Sequence, residues 1–281
     1  MIESPINILV IGGESKVARL MRRHCLYDAN FSLVFQSRNE LAKSDVYWDP
    51  LKSNSNFVYK TKNDIKFDAL LNLAGPTQNQ NAHLNAEIAF NCCILADRLS
   101  IPKVFLASSA AVYGIHQTRF LETDCCSPVN LYGEAKLKME NSCFAGSFNT
   151  NVLGLRMGNF VGADSLSLNV LTNETISLDI STSNVSGLRS YLGPLSFLRI
   201  LRSLIEDTTL HNRPINIANP RPFRMQEFLD KLKVPYYPKT GSTFVYDIEL
   251  DVNLLKSVHK FKEYEYSVND VLSQVDWNLY E

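Results

Sequence analysis

The chain predicts an α/β fold: a doubly wound parallel sheet with a smaller C-terminal lobe. Three observations carry that prediction. In the first half, short apolar runs alternate with longer stretches of helical spacing. The apolar runs are continuous rather than alternating with polar residues, which marks strands covered on both faces. Parallel strands need crossovers, and right-handed helical crossovers cover both faces of one sheet.

"INILVI" (Ile6 to Ile11) reads as the first buried strand. "SKVARLMRRHCL" follows with Val17, Leu20, Met21 and Cys25 at helical spacing. "FSLVFQ" (Phe31 to Gln36) is the second strand and "FDALLNLAG" (Phe67 to Gly75) the third. "HLNAEIAFNCCILADRLS" is a long helix and "IPKVFLASSA" a fourth strand. "LYGEAKLKMEN" (Leu131 to Asn141) starts a helix, and "TNVLGLRM" (Thr150 to Met157) is a fifth strand. From about Asn159 the rhythm changes. "ADSLSLNVLTNETISLDISTSNVSG" is polar, rich in Ser and Thr, and reads as loop. "LSFLRILRSLIED" is helical, and "PINIAN" is a strand returning to the sheet near residues 214–218. The division is therefore 1–158 for a dinucleotide-type domain and 159–281 for a smaller lobe interleaved with the sheet.

Composition narrows the function classes. The formal charge is −1 with no basic block, which argues against a nucleic-acid surface. No apolar run approaches the roughly 18 residues that span a bilayer, so no membrane partner is expected. The start carries an acidic residue and runs directly into a strand, unlike a signal peptide. The six cysteines (Cys25, Cys92, Cys93, Cys125, Cys126 and Cys143) contain no C-x-x-C, so no metal site is expected. They read as reduced thiols in a cytoplasmic protein.

In a doubly wound fold the first strand-to-helix turn is the place to look for a dinucleotide. Here it reads "VIGGESKVARLM". A helix N-terminus offers free N–H groups and partial positive charge to a pyrophosphate. Gly12 and Gly13 supply the turn, Ser15 and Ala18 are small enough for close approach, and Lys16 and Val17 open the helix. A Rossmann-type cofactor site is expected there. After the second strand stand Gln36, Ser37 and Arg38, with no carboxylate at the strand end; Asp28 precedes the strand and Glu40 follows it. A carboxylate would accept from the ribose hydroxyls, whereas an arginine pairs with a 2′-phosphate. NADP(H) is therefore favoured, with NAD(H) possible.

Tyr132 and Lys136 stand four apart and so share one face of a helix. Free tyrosine, with a pKa near 10, is a poor base at neutral pH. A cation within about 4–6 Å favours the phenolate, so Lys136 is expected to pull the Tyr132 phenol toward the range useful for proton transfer.

In this order and spacing the motifs resemble those of the extended short-chain dehydrogenase/reductases, the NAD(P)-dependent epimerases, dehydratases and reductases acting mostly on nucleotide sugars. The likeness runs from about Asn7 to Phe228. "VIGGESKVA" is similar to the glycine-rich turn, "LLNLAG" to the third-strand segment, "VFLASSAAVYG" to the serine strand, "YGEAK" to Tyr-x-x-x-Lys, and "LGLRMGNFVGA" to the segment after the fifth strand. "GLRSYLGPL" and "PINIAN" echo later segments. The resemblance implies Tyr132 as general acid/base, Lys136 as its partner and ribose holder, and Ser109 as the group on the substrate oxygen. Ser108 points the other way by strand alternation. It further implies Leu73, Ala74 and Gly75 beside the cofactor, Asn85 as a structural residue, Ala110 beside the substrate, and Asn159 and Arg189 near the substrate's nucleotide. Homodimers through the long helix and the Tyr132 helix are common in the family.

The residues prune the reactions. Ala110 and Ala111 stand where the family's 4,6-dehydratases carry Asp and Glu, so dehydration lacks its acid and base. Arg38 tilts the reading toward an NADPH-linked keto-sugar reductase. "SSAAVYG" tilts it back toward a nucleotide-sugar epimerase with retained cofactor. A reading of another class, a non-catalytic NADP(H)-binding sensor, is opposed by the presence of Ser109, Tyr132 and Lys136 together.

Overall fold

The computed structural model describes residues 5–25, 30–40, 42, 44–52, 57–59, 65–77, 81–116, 118–172, 174–239 and 245–277. Asp28 lies outside the described residues. The first half runs β1 (Ile6–Ile11), α1 (Lys16–Cys25), β2 (Phe31–Ser37), β3 (Val46–Tyr47), β4 (Val58–Tyr59), β5 (Ala69–Asn72), α2 (Leu84–Arg98), β6 (Lys103–Ser109), β7 (Arg119–Phe120), α3 (Leu131–Phe144) and β8 (Asn151–Met157). The second half runs β9 (Asn159–Phe160), α4 (Ser165–Leu171), β10 (Ile176–Asp179), β11 (Leu188–Arg189), β12 (Tyr191–Leu192), α5 (Pro194–Glu206), β13 (Arg213–Ile217), β14 (Phe223–Arg224), α6 (Met225–Leu232), β15 (Tyr236–Lys239), β16 (Glu249–Leu250), α7 (Asn253–Val258) and α8 (Val268–Ser273).

The main sheet has the order β13-β8-β6-β5-β1-β2-β3-β4. Seven strands are parallel, and β4 closes one edge antiparallel to β3. This is the doubly wound Rossmann arrangement the sequence predicts. Alternation along each strand feeds two cores. Ile8, Val10 and Phe105 join a cluster with Ala18, Met21, Phe197 and Leu201, under α1 and α5. Leu9, Ile11, Val104 and Leu106 join another with Ile88, Cys92, Leu95, Met139 and Cys143, under α2 and α3. The winding reverses between β1 and β5, and ligands in such sheets sit outside the carboxyl ends of the strands at that point.

Two side chains distant in sequence hold the ends of α5. The Gln274 side-chain Oε1 accepts from the N–H groups of Leu195 (2.9 Å) and Ser196 (3.1 Å) at its start. Lys103 Nζ donates to the carbonyls of Leu204 and Ile205, each at 2.7 Å, at its end. Both satisfy groups a helix cannot pair internally.

The stretch 163–187, read from sequence as loop, is a correction. Asp164 caps a helix there by accepting from Ser167 N at 2.7 Å. Beyond α4, the buried Ile176 and Leu178 alternate with exposed neighbours along β10. Leu166, Ile176 and Leu178 enter a third apolar cluster with Tyr191, Phe223, Phe228 and Val271. Its partners come from residues up to about a hundred positions away, so no local periodicity announces these short elements.

Candidate active site

The groove at the switch point is built by close packing. Gly12 has φ +81°, and a Cβ there would lie 2.7 Å from Ala74 N. Its N–H donates to Gln36 Oε1 at 2.9 Å, and Gly13 N–H donates to the Gln36 carbonyl at 2.9 Å. The turn is thereby clamped between β2 and the end of β5. A larger residue at position 12 would have to displace backbone as well as adopt a conformation glycine alone takes freely. The Ser15 hydroxyl accepts from Ala18 N at 3.2 Å, so its oxygen starts α1.

The resulting cleft has a volume of about 440 Å³ and is lined by residues 12–15, 36–39, 49–51 and 73–76 with Asn81, Leu84 and Ile88. It gathers Gly12, Gly13, Ser15, Ser37, Arg38, Leu73, Ala74 and Gly75 from the sequence-derived set. Lys16 and Val17 do not line it. Lys16 is exposed, and Val17 packs against the sheet's first core. Asp49, Pro50 and Leu51 line it unannounced, because β3 spans two residues and carries no period to read. The turn of glycines, tight to the backbone and open to the cleft, fits a dinucleotide pyrophosphate.

The second group stands beside this cleft. β6 ends at Ser109, whose hydroxyl accepts from Ala111 N at 3.2 Å and so caps a single 3₁₀ turn, Ala110–Val112. α3 begins at Leu131, capped by Asn130, whose Oδ1 accepts from Gly133 N at 2.8 Å. A Cβ on Gly133 would stand 2.4 Å from the Ala111 carbonyl oxygen. That close approach draws the first turn of α3 against the turn after Ser109, a contact the sequence did not disclose. The Ser109 hydroxyl is thereby brought near the Tyr132 phenol and favours its ionised form. Lys136 Nζ lies 5.7 Å from the Tyr132 ring centroid. It is also 3.6 Å from where a Cβ on Gly75 would be, which places the ammonium at the wall of the cleft. Asn85 donates to the Pro76 and Ala82 carbonyls, both at 2.9 Å.

The acidities differ from the expectation. Burial pushes the Tyr132 phenol above its ordinary value, and the nearby Ser109 hydroxyl only partly opposes this. Lys136 does not pull the phenol below its ordinary value; burial of the ammonium itself brings Lys136 down to about 8, against the raising influence of Glu140. Desolvation acts on both members of the pair, against the charged form of each.

The two substrate-side residues nominated in the second lobe are held within it. Asn159 Nδ2 donates to Asp164 Oδ2 at 3.2 Å. Arg189 Nη1 donates to the Leu188 carbonyl at 2.8 Å and the Tyr246 carbonyl at 2.5 Å. Neither lines the cleft, and Ala110 sits half-buried in the turn after Ser109. No cluster of His, Cys, Asp and Glu able to hold a metal occurs among the described residues. Among them, no helix is long and apolar enough to cross a membrane.

A glycine turn at the switch point next to a Ser–Tyr–Lys group is the arrangement expected of a dinucleotide-dependent enzyme of the short-chain dehydrogenase/reductase type. The family model for the NAD dependent epimerase/dehydratase family matches residues 8–177, more than half of the chain, and the chain belongs to that family of enzymes. None of the curated proteins matches the sequence significantly. Solved structures with the same fold include MoeE5 in complex with UDP-glucuronic acid and NAD, at 16% identity and TM-score 0.73, covering 95% of this chain and 98% of that one. The UDP-N-acetylglucosamine 4-epimerase of Methanobrevibacter ruminantium M1, with UDP-N-acetylmuramic acid, shares 15% identity at TM-score 0.71, with 96% and 98% coverage. The ADP-L-glycero-D-manno-heptose-6-epimerase of Helicobacter pylori shares 17% identity at TM-score 0.68, with 96% of each chain covered.

Proposed function

We propose that this enzyme is a nucleotide-sugar epimerase that retains its dinucleotide through the reaction. The observation that carries this reading is the convergence of Ser109 and Lys136 on Tyr132, with the Lys136 ammonium 5.7 Å from the Tyr132 ring centroid and at the Gly75 wall of the cleft. The ligands of the structural neighbours, nucleotide sugars and NAD, support the substrate class. Gly12, Gly13 and Ser15 would hold the pyrophosphate. Ser37, Arg38, Leu73, Ala74 and Gly75 would flank the adenosine side. The part of Lys16 and Val17 is confined to main-chain N–H groups at the start of α1. When bound, the nicotinamide supplies the hydride acceptor and donor. Tyr132 takes the proton of a sugar hydroxyl as its carbon is oxidised and returns it on reduction. Ser109 donates to that oxygen as charge develops. The Lys136 ammonium makes the phenolate less costly. Asn159 and Arg189 shape the substrate side of the second lobe.

One observation favours a second reading, an NADPH-consuming keto-sugar reductase: Arg38 lines the cleft and no carboxylate ends β2. The two readings separate on what purifies with the protein. Bound oxidised NAD and turnover of UDP-sugars without added cofactor support the epimerase. Cofactor-free protein that oxidises NADPH when given a keto-sugar supports the reductase and overturns the first reading. The exposed Phe90 on α2 supports a homodimer through α2 and α3, which size-exclusion chromatography with light scattering tests. The free thiols of Cys92, Cys93 and Cys143 fit a reducing, cytoplasmic setting.

A further inference from the structure

The chemistry above uses the start of α3, yet a sealed charge cluster sits one turn further along the same helix. Glu140 is 1% exposed and Arg156, from β8, is 4% exposed. The Glu140 carboxylate accepts from Arg156 Nε at 3.1 Å and Nη2 at 2.8 Å. Ser108 Oγ, on the face of β6 opposite Ser109, donates to it at 2.5 Å. The Arg156 guanidinium lies 4.7 Å from the Tyr113 ring centroid and donates to the Glu122 carbonyl at 3.3 Å. Tyr113 in turn donates to Asn216 Oδ1 of β13 at 2.7 Å. Lys136, Glu140 and Arg156 thus alternate in sign across the buried side of α3.

A buried ion pair is often no more stabilising than apolar residues of the same volume. One sealed a single helical turn from Lys136 therefore calls for a reason beyond the fold. A desolvated ammonium tends to surrender its proton unless a countercharge stands near. Glu140, one turn along α3, is that countercharge, and Arg156 and Ser108 hold its carboxylate in place. Resting on the reading of Tyr132 and Lys136 as the proton-handling pair, we propose that Glu140 is a positioning residue that keeps Lys136 an ammonium beside Tyr132.

Few other groups titrate here. Lys136 is faced by Tyr132 and Glu140 from its own helix, and by Gly75 at the end of β5. Glu140 is faced by Arg156 from β8, Ser108 from β6 and the Cys126 thiol, which burial holds protonated.

The titration of Lys136 can be read without any substrate, from the side-chain NMR signals of isotope-labelled lysine, assigned with Lys136→Met. In the wild type a midpoint near about 8 is expected. Glu140→Gln lowers it by roughly one unit or more, and Glu140→Asp recovers part of the loss. Glu140→Gln strands the Arg156 charge, so the double variant Glu140→Gln/Arg156→Gln, which removes both charges, is the deciding protein. If its midpoint also falls while its melting curve stays cooperative, the role of Glu140 stands. A midpoint unmoved in the double variant overturns it, whether or not the single variant shifts. On active protein the alkaline limb of the kcat profile moves to lower pH with the same variants. Wild type that turns over no sugar, with the midpoint shifting as stated, sinks the epimerase reading and leaves the hold of Glu140 on Lys136 intact.

Discussion

The sheet half and the second lobe are made of the same kinds of residue but organised at different ranges. In the first half, most of the chemical groups stand at or just past the end of a sheet strand or at the start of a helix. Gly12 follows β1, Arg38 follows β2, Gly75 follows β5, Ser109 ends β6 and Tyr132 opens α3. The second lobe is stitched from pairs of two-residue strands, β9 with β12 and β11 with β14, whose partners lie up to 36 positions apart. Its polar residues answer one another: Asn159 holds Asp164, Arg224 reaches Asp247, and Arg189 is tied to main-chain carbonyls. A rigid sheet offers positions at which chemistry can be placed precisely, whereas a lobe of short strands uses its polar groups largely to hold its own shape.

Substitutions should therefore separate cleanly by region. The largest effect belongs to Tyr132→Phe, which removes the proton-transfer group without disturbing the turn before it. A fall in kcat of about 10²- to 10⁴-fold is expected, with dinucleotide binding by calorimetry unchanged. Retained turnover would break the assignment of chemistry to the sheet half. Gly12→Val comes next, since its side chain would meet Ala74 main chain at 2.7 Å. Dinucleotide affinity should fall by roughly 100-fold or more, a loss of two charge-assisted contacts in scale, and wild-type affinity in a folded variant would remove the cradle from the account.

Smaller changes sharpen the contrast. Arg38→Ala should lower the ratio of NADP to NAD affinity about tenfold, the worth of one charge-assisted hydrogen bond; an unchanged ratio makes Arg38 a bystander. Asn159→Ala and Arg189→Ala should lower the melting temperature and raise KM severalfold while leaving kcat within about threefold, because each is held inside the second lobe. A kcat collapse in either would erase the regional distinction. The smallest effect is the pH dependence of stability. Lys136 is depressed in the folded protein to about 8, below its unfolded value, so the folded state binds fewer protons between the two. Stability then rises with pH across that window, and urea midpoints of Lys136→Met should lack that rise.

The site was legible in the sequence where a residue's role follows from its place on a periodic element. β1 was read to the residue, and the ends of β2, β5 and β6 pointed to the groove. Tyr132 and Lys136 were readable because four residues is one turn of helix. Asp49 and Leu51 were not, since the two-residue β3 before them gives no repeat. α4 was also hidden, its polar sequence becoming helical through the Asp164 cap and the distant apolar cluster.

By itself, the order of residues determined the winding of the sheet, the glycine turn and the Tyr–Lys spacing, all of which follow from contacts within a few residues and from strand alternation. Only the tertiary structure decided the approach of Gly133 to Ala111, the nearness of Ser109 to Tyr132, the upward push on that phenol, and the sealing of Glu140 with Arg156. Those depend on how closely separate segments pack and how completely they exclude water. A one-dimensional pattern carries neither quantity.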